Sequence, residues 1–273
     1  MATTNYRKIA ARTRSELLNM IYEAKTGHTG GSLSSVDILT ALYYGVMNVR
    51  PQDPKWPDRD RFVLSKGHSV EGYLCVLADL GFFPQEELKT FSKYGSRLIG
   101  HPTNKVPGME ICSGALGHGL SVATGMALGA KKTGRSYRTF VLMGDGELAE
   151  GSVWEAAMSA ANYKLDNLTA IIDRNGLQIS GSTEDVMKLE QLKAKWEAFG
   201  WDTYEADGHD IQELIELLNQ PARSEGKPRM IIAKTTKGKG VSFMENVAKW
   251  HHGVPTAEQL EQALADLKQQ EAE

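Results

Sequence analysis

Five short runs rich in Val, Ile and Phe alternate with longer stretches of helical character, and this alternation narrows the possible folds more than any other feature of the chain. The runs cover residues 61–65, 139–143, 168–172, 201–205 and 230–234. Near-continuous apolar stretches such as Phe140 to Met143 suit strands covered on both faces, as in a parallel sheet. Between the runs, Ser152 to Glu155 reads as a capping box opening a helix whose Ala156, Ala157, Ala160 and Ala161 allow close packing on a sheet. A second box, Thr256 to Gln259, opens a C-terminal helix at about 256–268, with Leu260, Leu264 and Leu267 on one face. An N-terminal helix runs through Leu17, Leu18 and Ile21 and is expected to stop near Gly27, while residues 269–273 are expected to fray. The pattern predicts a doubly wound α/β fold: a mainly parallel sheet with helices on both faces. No Pro/Gly/Ser-rich linker divides the chain, so residues 1–273 are expected to form one domain.

Composition removes several function classes. No run approaches the ~18 consecutive apolar residues of a membrane span, and the first residues are not an apolar leader, so a cytoplasmic location is expected. With 34 acidic and 31 basic residues and no basic stripe, nucleic acid is not an expected partner. Cys75 and Cys112 lack metal-ligand spacing and are expected to be buried thiols. Glycine is in excess, 27 of 273 residues against a norm of ~7%, so its placement bears on function.

In open α/β sheets, ligands bind beyond the carboxyl ends of the strands. The turn Gly144-Asp145-Gly146 directly follows the run 139–143. Its glycines let the backbone turn sharply, and its Asp offers a hard oxygen. About thirty residues on, one βαβ unit later, comes Asp173-Arg174-Asn175-Gly176. This spacing brings Asp145 and Asn175 to the same end of neighbouring parallel strands. Two oxygen ligands suit Mg²⁺, which completes its shell with phosphate oxygens and water, so the implied ligand is a diphosphate.

Gly144-Asp145-Gly146 with Asn175 resembles the thiamine-diphosphate motif, and the strings Gly144-Asp-Gly-Glu-Leu-Ala-Glu-Gly151 and Arg61-Phe-Val-Leu-Ser-Lys-Gly-His68 look like transketolase. The resemblance runs from about His28 to His252 and matches the N-terminal, diphosphate-binding portion of that family. It implies thiamine diphosphate with Mg²⁺ or another divalent cation, held by Asp145, Asn175 and the backbone carbonyl of Leu177. It further implies Gly144 and Gly146 at the phosphates, Ile179 near the thiazolium ring, Gly114 beside the aminopyrimidine and Leu116 beneath the bent cofactor. Glu150 falls where the family has an acid at a subunit interface.

Four histidines sit in glycine-rich turns, where an imidazole can donate to phosphate or sugar hydroxyls and relay protons near neutral pH. By resemblance, His68 and His252 contact the diphosphate and reacting centre, with His251 as the adjacent alternative, and His28 and His101 contact ketose hydroxyls. His118 stands where the family pattern has glutamine. The turn Asp207-Gly-His-Asp210 fits either a purely structural role or a site role, and Lys237-Gly-Lys-Gly240 either orders the loop carrying His252 or is a solvated basic turn.

In the family, the glutamate that activates the cofactor lies in a pyrimidine-binding domain C-terminal to this region. The resemblance therefore implies a split transketolase: a separate C-terminal subunit carrying that domain, a heterotetramer of two copies of each chain, and two-carbon ketol transfer from sugar or sugar-phosphate substrates. Other thiamine-diphosphate enzymes, 1-deoxyxylulose-5-phosphate synthase or the α subunit of a 2-oxo acid dehydrogenase, are alternatives. A non-catalytic cofactor-binding assembly subunit is another.

Overall fold

The computed structural model describes residues 4–221 and 223–272. The N-terminal stretch read for a leader begins, and the C-terminal stretch read as frayed ends, outside those residues. Two helices, α1 (Tyr6–Ala24) and α2 (Thr29–Thr40), precede the first strand, β1 (Arg61–Leu64), which leads into α3 (Val70–Asp79). Then come α4 (Gly119–Lys132), β2 (Thr139–Gly144), α5 (Gly151–Asn162) and β3 (Leu168–Arg174). A small hairpin, β4 (Leu177–Gln178) and β5 (Gly181–Ser182), is followed by α6 (Thr183–Val186), α7 (Leu192–Ala198) and β6 (Asp202–Asp207). The chain closes with α8 (Ile211–Asn219), β7 (Arg229–Lys234) and α9 (Ala257–Ala272).

All five runs expected to be strands are strands, and they form one sheet of order β1-β2-β3-β7-β6 in which every pairing is parallel. Alternation along each strand sends side chains to two different cores. Phe62, Leu64, Phe140, Leu142, Ile171 and Ile231 join the core with Leu17, Ile21, Leu33 and Leu214. Val63, Val141, Met143, Ile172 and Ile232 join a second core with Ala123, Ala127, Ala157 and Trp196. Helices therefore cover both faces, as the uninterrupted apolar strands require.

Several local expectations are corrected. Ser152 does not cap α5: the helix begins earlier, with Glu150 at the N-cap, and the Ser152 hydroxyl instead donates to the Gly117 carbonyl at 2.9 Å. The Thr256 box does form, with reciprocal bonds between Thr256 and Gln259. Helix α9 continues past residue 268 to Ala272 because its last turns are tied down. Leu267 is buried, Gln270 donates to the Gly240 carbonyl at 3.0 Å, and Glu271 pairs with Lys8. Helix α1 ends at Ala24 with Lys25 in the left-handed conformation, near Gly27 as expected. Cys75 is buried, but Cys112 is exposed, on the loop before α4. Among the described residues, no helix is long and apolar enough to cross a membrane.

Candidate functional site

The carboxyl ends of β1, β2, β3 and β7, with the N-terminus of α2, surround a cavity of about 370 Å³. Parallel register sets its floor. Gly144, the last residue of β2, lies opposite Asp173 of β3, so Asp145 and Asn175 leave adjacent strands at the same end. Both line the cavity, as do Gly144, Gly146, Leu177 and Ile179, together with Gly114 and Leu116 from the loop before α4.

The donor chemistry of this wall fits a hard divalent cation. Asp145 is 2% exposed; one of its oxygens accepts from the Gly146 N–H at 2.8 Å, the other from the Gly176 N–H at 2.6 Å and from Arg174 at 3.1 Å. A carboxylate has about four lone-pair sites, so capacity is left for a cation. Burial pushes the Asp145 pKa up, nearby Asp173 adds to this, and the bonds from Gly176 and Arg174 pull against it. The Asn175 side-chain amide oxygen accepts from the Leu177 N–H at 3.1 Å, and the Leu177 backbone carbonyl accepts from Lys237 at 3.2 Å. No group of three or more His, Cys, Asp or Glu able to hold a metal occurs among the described residues. A cation here would rest on one carboxylate, one amide oxygen and one backbone carbonyl, leaving most of a six-oxygen shell to phosphate and water. A Cβ on Gly146 would meet the Gln178 side-chain oxygen at 2.8 Å, so a larger residue there would displace the Gln178 side chain.

Two lysines line the cavity. Lys66, which follows β1, is paired with the buried Asp173 and donates to the Gly31 carbonyl at 3.0 Å and the Ser35 hydroxyl at 3.1 Å. Asp173 also accepts from Ser34 and Thr235, and these contacts with Lys66 outweigh burial to hold its pKa down to about 2. Lys237 is 3% exposed, yet among the described residues its ammonium meets only the Leu177 carbonyl and, at 3.0 Å, Nδ1 of His251. No carboxylate among the described residues pairs with it. Burial, then the charge of Lys66, push its pKa down to about 8. Glu147 ties the wall together: its carboxylate accepts from the Ser65 hydroxyl, the Gly117 N–H at 2.7 Å and the Gly144 N–H at 3.2 Å.

Five histidines cluster at the cavity mouth around His28, whose ring lies 5.3 Å from His68, 6.0 Å from His101, 5.8 Å from His251 and 4.7 Å from His252. A buried carboxylate sets its position: Glu71 accepts from the His28 N–H at 2.9 Å and the Ser32 hydroxyl at 2.6 Å. Burial and the surrounding positive and imidazole groups push the pKa of His28 and of His251 down to about 4, and that of His68 to about 2. Burial lowers that of His101 as well. These four rings are therefore neutral at pH 7, each able to donate one hydrogen bond and accept another.

The structure brings His28, His68, Gly114, Leu116, Gly144, Asp145, Gly146, Asn175, Leu177 and Ile179 to one wall. The two adjacent histidines stand differently. His251 lines the cavity and stacks on His68 at 5.1 Å, whereas His252 packs against His28 outside the lining. His101 also stands outside the lining, beside Gly114. Glu150 is exposed at the start of α5 and does not reach the cavity. Lys66, Glu147 and Gln178 were not expected there, and Lys237 is buried in the lining, so its turn is not a solvated one. For Lys66 and Lys237 a signal existed, since each stands within three residues of a strand end.

Residues 6–270 match the transketolase, thiamine diphosphate binding domain family. The chain is 53% identical over 258 residues to an apulose-4-phosphate transketolase subunit of Phocaeicola vulgatus, covering 94% of this chain and 92% of that protein. It is 41% identical to a 6-deoxy-6-sulfo-D-fructose transketolase subunit of a Clostridium species, covering 93% of each chain. Among solved structures, the transketolase of Campylobacter jejuni superposes with a TM-score of 0.91 at 34% identity, covering 97% of this chain but 43% of that one.

Proposed function

The chain belongs to the transketolase family through its thiamine diphosphate-binding domain, and from that premise we propose that it is the diphosphate-holding subunit of a two-chain transketolase. The observation that carries this reading is a buried ammonium, Lys237, which has no carboxylate partner among the described residues and lines one cavity with the oxygens of Asp145, Asn175 and Leu177. A magnesium diphosphate is complementary to that arrangement: the cation matches the oxygens, and the phosphate matches Lys237 and the Gly146 N–H. When bound, thiamine diphosphate supplies the carbanion chemistry that breaks and forms a carbon–carbon bond beside a ketose carbonyl.

The chain's own residues then have separable tasks. Asp145, Asn175 and the Leu177 carbonyl hold the cation, and Gly144, Gly146, Lys237, His68 and His251 hold the phosphates. Gly114, Leu116 and Ile179 shape the space for the cofactor rings. His28, with His101 and His252 beside it, presents a neutral imidazole to sugar hydroxyls, accepting a proton from one while donating to another. Glu150 lies at the contact with a second chain.

Full-length relatives such as the Campylobacter jejuni enzyme are more than twice as long as the matched region. Relatives named as transketolase subunits are instead covered almost end to end. This supports a partner subunit carrying the pyrimidine-binding domain; a heterotetramer of two copies of each chain, located in the cytoplasm, belongs to the same proposal. The names of those two relatives pair the activity with a ketose phosphate and a sulfonated ketose. The substrate class we propose is a ketose with a terminal anionic group, donating a two-carbon ketol unit to an aldose.

Turnover of such ketoses with an aldose acceptor is measured for this chain alone, for the chain co-expressed with a pyrimidine-domain subunit, and for that pair carrying Asp145→Ala. Turnover is expected only in the intact pair and falls at least about a hundredfold in the variant. Robust turnover by this chain alone sinks the two-chain reading. Unchanged Mg²⁺-dependent cofactor affinity in Asp145→Ala, read by calorimetry, removes the metal assignment.

A further inference from the structure

The turn between β6 and α8 has no task in the chemistry above, yet His209 within it reaches the segment that carries Lys237. Its two ring nitrogens have different partners. Nδ1 lies 2.7 Å from a carboxylate oxygen of Asp37, and Nε2 lies 2.8 Å from the backbone nitrogen of Thr236. A backbone N–H can only donate, so Nε2 accepts and carries no proton. Nδ1 therefore holds the ring's proton and donates it to Asp37.

Asp37 is itself held. It sits on α2, buried, with Arg14 of α1 donating to its two oxygens at 2.6 and 3.1 Å. The chain of contacts thus runs from two core helices through one imidazole to the amide immediately before Lys237. Glycine makes the approach possible: a Cβ on Gly208 would lie 2.9 Å from the Lys234 carbonyl, to which the Gly208 N–H donates at 2.8 Å. On the segment itself, Thr235 is anchored to Asp173 and the Gly238 N–H to the Gly30 carbonyl at 3.0 Å. The Thr236 amide between them is anchored by His209.

We propose that His209 is a positioning residue for Lys237: locked by Asp37 into its Nδ1–H tautomer, it holds the Thr236 amide and so sets where the Lys237 ammonium meets a diphosphate. This rests on the reading of Lys237 as a phosphate ligand. A packing role alone would show only in stability.

The full chain is titrated calorimetrically with inorganic pyrophosphate in the presence of Mg²⁺, with thermal unfolding recorded in parallel. His209→Gln places an amide oxygen near the Nε2 position, where it still accepts from Thr236. His209→Asn ends near the Nδ1 position, keeping a donor for Asp37 but not reaching Thr236. The Asn variant is expected to weaken pyrophosphate binding about five- to tenfold, and the Gln variant less than about twofold. In a Lys237→Met background the Asn change is expected to weaken binding no further, because residues acting through one another are not additive. Equal losses in the Asn and Gln variants, or an Asn effect that persists in full without Lys237, overturn the positioning role. If Lys237→Met alone binds pyrophosphate as the unaltered chain does, the phosphate-ligand reading fails, and the role of His209 with it.

Discussion

Lys66 and Lys237 are both buried and face the same cavity, but they are solvated by the protein in opposite ways. Lys66 is neutralised by Asp173 and satisfied by a carbonyl and a hydroxyl. Lys237 has one carbonyl and one imidazole nitrogen and no counter-charge among the described residues. A paired buried charge is part of the framework, because removing either partner strands the other in low dielectric. A buried charge without a pair costs stability in the free chain, and that cost is relieved when an anion arrives. The difference separates the support of the site from its working surface, although the two ammonium groups share one wall.

The strongest way to break this comparison is Lys66→Met. It leaves Asp173 buried and uncompensated, and is expected to cost roughly 3–5 kcal/mol of folding stability, measured by urea unfolding. Lys237→Met should do the reverse in the absence of ligand. The free chain unfolds at the same or a higher urea concentration, while Mg²⁺-pyrophosphate affinity drops about ten- to a hundredfold. Similar stability losses in both variants would erase the distinction.

Acid sharpens it with a smaller effect. His28 and His251 titrate at about 4 in the folded chain against an ordinary 6.5, so between those values the unfolded chain binds the extra protons. Their contribution to stability is full above 6.5 and is lost as pH falls toward 4. Asp173, held to about 2 against 3.8, contributes fully above 3.8 and loses its contribution only as pH falls from there toward 2. The urea midpoint is therefore expected to decline between about pH 6.5 and 4, before the lysine pair is touched, with a shallower slope in His28→Asn. A flat profile over that window would mean that the histidine cluster is not held neutral by burial.

Much of the architecture was legible because it repeats a local pattern. The five apolar runs became the five strands within about two residues at each end, and the spacing of Asp145 from Asn175 became adjacency across β2 and β3. Less local features were misread. Ser152 sits in a capping sequence, but the Gly117 carbonyl offers a competing acceptor from 35 residues away. Residues 269–272 look like a polar tail, yet α1 and the Gly240 loop hold them in helix. Between the adjacent His251 and His252, both candidates in the sequence, only folding shows that His251 lines the cavity while His252 packs against His28.

The division has a physical origin. Strand identity, two-faced burial and the meeting of two strand-end oxygens depend on side-chain periodicity and on the length of one crossover, both of which are written along the chain. Whether a lysine is framework or ligand depends instead on which carboxylate lies within reach after folding. For Lys66 that partner is 107 positions away, and for Lys237 none arrives among the described residues. The electrostatic roles within the site were therefore assigned by tertiary packing, because charge in a low-dielectric interior is governed by distance in space and not by separation in sequence.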